Sequence, residues 1–144
     1  MKAYFDSAVI VKLYVPESNS QEAAGLVQKR GAGVPFSQLH ENEVKNAIRL
    51  KRRRAELTEA EVKTAFRRME EDLAAGLLYR PGLDWGGVWT KAEDLSAAHA
   101  HKVNCRTLDT LHVALAMILG FKEFVSFDVR QRELAVMTGL RGSP

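Results

Sequence analysis

The chain has 144 residues, a formal net charge of +3 and 46% hydrophobic residues. That length points to one domain spanning residues 1–144, with enough chain to bury a core. No stretch approaches the roughly 20 apolar residues of a membrane span. Asp6 and Lys12 interrupt the first apolar stretch, so no secretory leader is visible. The single cysteine, Cys105, excludes an intrachain disulfide, reads as a small core residue, and fits a reducing cytoplasm.

Residues 2–5 read as a short strand. Asp6-Ser7 opens a helix to about Tyr14, which Pro16 ends. Ser18 begins a second helix to about Arg30, closed by Gly31 and Gly33. Val34-Pro35-Phe36 is a second strand, and Ser37 or Gln38 leads into a long helix through Arg54. Thr58-Glu59-Ala60-Glu61 has the form of a capping box and predicts a helix to about Ala74. Residues 76–80 are extended, 81–87 form a loop, and a helix runs from about Val88 to His101. Thr107 caps an apolar helix to Leu119, which Gly120 ends. A strand over 123–127 and a helix from Val129 to Met137 follow, leaving little chain for a last strand. Strands alternating with helices predict an α/β domain with a mainly parallel sheet and helices on both faces.

Four carboxylates stand where a carboxylate is costly without a neutraliser. Asp6 and Asp128 each end an apolar strand. Ligands of open α/β sheets bind beyond the carboxyl ends of strands, which puts these two at one site. Each also precedes a helix and reads equally as an N-cap. Asp109 lies in the first turn of the helix 107–119, where an acid complements the helix dipole. That helix is apolar almost all round, however, and is therefore buried. Its carboxylate then faces a cavity or a partner. Glu43 borders the stripe Val44, Ala47, Ile48 and Ala55, while Glu41 competes from a more outward direction. Two carboxylates about 4 Å apart repel by about 4 kcal/mol at an effective dielectric near 20. A converging set therefore needs cations, and hard oxygen donors without a Cys or His cluster favour Mg²⁺ or Mn²⁺ over zinc. Such a metal activates water and stabilises charge on a phosphoryl oxygen.

Arg49, Lys51, Arg52, Arg53 and Arg54 crowd one helix end, with Lys45 before them and Arg67-Arg68 in the next helix. They read either as a solvated face suited to a helix C-terminus or as a track for a phosphate backbone, with Arg49, Arg52 and Arg53 as its candidate contacts. Arg106 and Arg130 flank two of the acids. His40, His99, His101 and His112 are not spaced as a metal set, and His112 reads as a structural group in a helix interface. Trp85 and Trp89 flank Gly86-Gly87 and read as core or interface packing, with base stacking as the alternative.

Four segments stand in order along nearly the whole chain: Tyr4-Phe5-Asp6-Ser7-Ala8, Glu41-Asn42-Glu43-Val44-Lys45-Asn46-Ala47, Arg106-Thr107-Leu108-Asp109-Thr110-Leu111-His112, and Phe124-Val125-Ser126-Phe127-Asp128 followed by Arg130-Gln131-Arg132 and Leu134-Ala135. Together they resemble the motifs of the PIN-domain ribonucleases of the VapC toxin type. The resemblance selects Glu43 over Glu41. It implies a PIN-like three-layer α/β/α sandwich and a Mg²⁺- or Mn²⁺-dependent endoribonuclease, the toxin of a type II toxin–antitoxin pair. Asp6, Glu43, Asp109 and Asp128 would be its catalytic acids, with Asp6, Asp109 and Asp128 on the metal. Ser7, Asn46 and Ser126 would support them. An RNA substrate, a small cognate antitoxin and a homodimer are the implied partners, in the cytoplasm. A non-catalytic nucleic-acid-binding module on the same fold and a DNA-directed metal nuclease are the rival readings.

Overall fold

The computed structural model describes residues 2–144. In chain order its elements are β1 (Tyr4–Phe5), α1 (Ser7–Tyr14), α2 (Ser20–Arg30), β2 (Val34–Pro35), α3 (Gln38–Arg53) and α4 (Glu59–Ala75). β3 (Leu78–Tyr79), α5 (Trp85–His99), α6 (Thr107–Ile118), β4 (Glu123–Val125), α7 (Val129–Met137) and β5 (Arg141–Ser143) follow. The chain divides into two compact units, one of residues 7–81 and one of residues 2–6 with 82–144.

The first unit holds α1, α2, β2, α3, α4 and β3. α1 buries Val9, Ile10, Val11 and Tyr14 and packs against α2, α3 and α4. α2 starts at Ser20 rather than Ser18, because the Ser20 hydroxyl accepts the Glu17 N–H at 2.9 Å and holds Glu17 to Ser20 as a turn. β2 and β3 pair in parallel, Val34 opposite Leu78 and Pro35 opposite Tyr79. Gly33 allows that approach, since a Cβ there would stand 3.0 Å from the Gly76 carbonyl oxygen. Reciprocal bonds between Ser37 and His40 cap α3, and the expected Thr58–Glu61 box caps α4.

Val44 and Ile48 lie in the core stripe of α3, as its spacing predicts, but Ala55 does not. The helix ends at Arg53, and Ala55 is exposed at φ 60°. Its N–H reaches the Arg52 carbonyl, and the Glu56 N–H reaches that of Lys51. These two bonds form a Schellman ending, a motif that usually takes glycine at the left-handed position.

The second unit holds β1, α5, α6, β4, α7 and β5. Its three strands run β1-β4-β5, and both pairings are parallel. The last strand is present despite the short C-terminus, with Arg141 opposite Glu123. All strand pairings among the described residues are parallel, in a three-stranded and a two-stranded sheet. Tyr4 anchors the core of this unit. Its ring stacks on Phe124, meets His112 and Phe121 edge-on, and its hydroxyl lies 2.6 Å from His112 Nδ1. His112 is thus a buried structural group. α6 is continuously buried from Thr110 to Ala116, which explains its apolar sequence, and it packs on α5. Among the described residues no helix is long and apolar enough to cross a membrane.

Candidate active site

Asp6 directly follows β1, and its side chain is buried at 4% exposure. Its N–H donates to the Val125 carbonyl at 3.1 Å, extending the β1–β4 ladder by one rung. Ser126 directly follows β4 and is fully buried. Its hydroxyl donates to Oδ2 of Asp6 and accepts the Asp128 N–H at 3.0 Å. The same oxygen lies 2.9 Å from the side-chain amide of Gln131. A hydroxyl has one proton to give. With that proton on the Asp6 carboxylate, Gln131 turns its NH₂ toward Ser126, which rotation of the amide permits. Ser126 then donates once and accepts twice. Parallel pairing therefore places Asp6 and Asp128 at the same sheet edge, coupled through one hydroxyl.

Asp128 is also the N-cap of α7. Its Oδ1 accepts the Arg130 N–H at 2.9 Å and, more weakly, the Gln131 N–H at 3.4 Å. Arg130 Nε lies 3.8 Å from the same oxygen. Asp109 is half-buried in the first turn of α6, and its Oδ2 accepts the Arg106 N–H at 2.8 Å. Both acids thus serve as helix-start groups, using one carboxylate oxygen each, and a carboxylate has two. Beside Asp109, the half-buried Cys105 thiol is pushed up, first by burial and then by the Asp109 charge, so it stays protonated and is a poor nucleophile.

Glu43 belongs to the first unit, where the Ser7 hydroxyl donates to its Oε1 at 2.9 Å. Glu41 is occupied otherwise. Lys45 holds it at 2.8 Å and Arg80 at 2.5 Å, and the hydrogen bond from Lys45 leads the causes that hold its carboxyl below the usual range. Of the two acids, Glu43 is the one joined to the residue after Asp6. Asn46 is exposed on α3.

The donor set suits a hard divalent cation in its chemistry, being carboxylate oxygen throughout. Among the described residues, no group of three or more His, Cys, Asp or Glu side chains is placed to hold a metal ion. Two of the acids are turned onto backbone N–H groups, the partners at hand for an anion at a helix start.

In the first unit, Arg49, Arg52 and Arg53 line one recess of about 680 Å³ with Lys63 and Phe66. Arg49 lies over the Phe66 ring at 5.0 Å, and Glu59 pairs with Arg52 at 3.4 Å. Other members of the basic run are committed elsewhere: Lys45 to Glu41, Lys51 to Glu17 and Arg54 to Glu56. Arg52 is thus both a recess-lining residue and a member of a local pair, while Lys45, Lys51 and Arg54 do not line the recess.

Gln131 and Arg132 stand in the fourth motif, but sequence reasoning gave neither a role at the site. Gln131 is 3% exposed on the α7 face it shares with Leu134 and Ala135, and a polar residue in that i, i+3, i+4 stripe was the available signal. Arg132 donates to the Ser126 carbonyl at 2.9 Å, and no spacing rule marks it.

No family model matches the chain, and no curated protein matches it. Among solved structures it is similar to a chain of the crystal structure of FitAcB from Neisseria gonorrhoeae, with a TM-score of 0.66 and 15% identity. The alignment covers 99% of this chain and 97% of that one. At that identity the likeness shows that the two chains share a fold from end to end.

Proposed function

We propose that the chain is a Mg²⁺- or Mn²⁺-dependent endoribonuclease, the toxin of a type II toxin–antitoxin pair, acting as a homodimer in the cytoplasm. The reading takes residues 1–144 as one PIN-like domain, a three-layer α/β/α sandwich. The observation that carries it is the Asp6–Ser126–Asp128 linkage, which gathers two acids at the carboxyl edge of a parallel sheet, where α/β enzymes hold their ligands. The four-motif resemblance supports it, as does the fold shared with FitAcB.

In this reading Asp6, Asp109 and Asp128 hold the metal, and Glu43 completes the acidic set. Bound there, the cation neutralises the carboxylates and stabilises charge on the phosphodiester during hydrolysis. Ser126 keeps the Asp6 carboxylate oriented, and Ser7 does the same for Glu43. Arg49, Arg52 and Arg53 contact substrate phosphates without reading sequence.

The test is cleavage of single-stranded RNA, structured RNA and DNA with Mg²⁺, with Mn²⁺ and with EDTA. Cleavage of RNA alone, lost in EDTA and in a folded Asp6→Asn variant, is the expected result. Full metal-dependent activity of Asp6→Asn overturns the reading. The capping bonds of Asp109 and Asp128 favour one rival, a non-catalytic nucleic-acid-binding module. RNA binding without cleavage under every metal condition would identify it. A short reading frame beside the gene, whose product relieves growth arrest by this chain, tests the antitoxin.

A further inference from the structure

In the second unit, a recess of about 420 Å³ lies where α5 meets the start of α6. One wall is the α5 face carrying Trp89, Ala92, Glu93 and Ser96, residues at i, i+3, i+4 and i+7. The other is Arg106 with Thr107 and Thr110. Ala92 and Ser96 are small, so the floor is low and the recess stays open between the helices. Trp89 is 56% exposed at its rim, which excludes core packing for that side chain. An exposed indole beside a polar recess is a stacking platform. Arg106 supplies a cation next to it, and its own backbone N–H is bonded to Asp109. The recess is therefore tied to one of the candidate acids by a single residue.

We infer that this recess is a nucleotide subsite for single-stranded RNA, in which a base stacks on Trp89 and the adjoining phosphate meets Arg106. Glu93 repels phosphate and accepts hydrogen bonds from base amino groups, so it orients the nucleotide with its base toward α5 and its phosphate toward α6. The volume lies within the usual range of ligand sites, about 300–1,000 Å³. Duplexes keep their bases stacked on one another, so the site selects unpaired strands. The inference rests on the nuclease reading above and names the substrate form that it takes.

The experiment measures binding of a short fluorescein-labelled single-stranded RNA in EDTA, where cleavage does not interfere. Steady-state cleavage of the same RNA in Mg²⁺ is measured in parallel. Trp89→Ala is expected to weaken binding about tenfold or more, Trp89→Phe to restore most of it, and Arg106→Ala to weaken it and flatten its salt dependence. In cleavage, Trp89→Ala should raise KM and leave kcat near wild type. In a Trp85→Phe background Trp89 is the sole tryptophan, and RNA should quench its emission. If Trp89→Ala binds RNA like a cleaving wild type, the subsite is wrong and the nuclease reading stands, leaving the exposed indole to a protein partner. If the wild type neither binds nor cleaves RNA, both fall together.

Discussion

The Ser126 hydroxyl donates to the Asp6 carboxylate across the β1–β4 pairing while accepting the Asp128 N–H. Ser126→Ala removes the donor to the buried Asp6 side chain and the acceptor of the half-buried Asp128 N–H. It should cost about 1–3 kcal/mol of stability, since lost partners of buried polar groups cost that much. RNA cleavage should fall by more than the folded fraction does, because Asp6 loses its orientation. Urea denaturation alongside cleavage assays checks both, and unchanged stability would show that water replaces the hydroxyl.

Glu43 and Glu41 lie two residues apart but have different partners. Glu43→Gln should leave stability within about 1 kcal/mol, as surface and half-exposed changes usually do. It should weaken Mn²⁺ binding and cleavage about 10–100-fold, the usual cost of disturbing a metal site's supporting shell. Glu41→Gln should leave cleavage near wild type. Calorimetric Mn²⁺ titration and RNA cleavage separate the two, and equal effects would contradict the assignment of Glu43.

Glu41 should instead be visible in acid. Lys45 and Arg80 hold its carboxyl low, so its stabilisation is present above the ordinary glutamate range and is lost as pH falls through its folded value. The stability difference between wild type and Glu41→Gln should be constant near neutrality and vanish at low pH. Denaturation midpoints across that range test the sign.

Tyr14 behaves in the opposite pH direction. Its phenol is buried and donates to Asp72 at 2.5 Å, and burial, followed by the Asp72 bond, raises its pKa far above the tyrosine range. That contribution is intact below the ordinary tyrosine value and is lost as pH rises toward the folded one. Tyr14→Phe should lose about 0.5–1.5 kcal/mol at neutral pH and show a weaker alkaline decline. Stability curves from neutrality to alkaline pH measure both effects.

Ala55 occupies the left-handed position that closes α3. For a residue with a Cβ that conformation costs about 1–2 kcal/mol, which glycine avoids at some cost in unfolded-chain entropy. Ala55→Gly should therefore stabilise the protein by about 0.5–1 kcal/mol, read as a higher urea midpoint with an unchanged slope. A lower midpoint would mean that the turn is not strained.

Local chemistry made much of this chain legible as sequence. The Thr58–Glu61 box, the helix stops at Gly31 and Gly120, the apolar run of α6 and the alternation of strands with helices are set by neighbours within a turn or two. Asp6 and Asp128 were visible for the same reason, since an acid at the end of an apolar strand is a local anomaly. The saturation of Ser126 was not legible, because Asp6 reaches it from 120 positions away while Asp128 and Gln131 reach it from the start of α7. Nor could periodicity choose Glu43 over Glu41, since both lie on α3, and partners on other elements (Ser7 for one, Arg80 for the other) set them apart. The sequence by itself determined which residues carry charge and, to within a turn, where the helices start and stop. Tertiary structure alone decided which carboxylate each donor satisfies and which tryptophan faces solvent, because hydrogen bonds and burial depend on distance in space rather than along the chain.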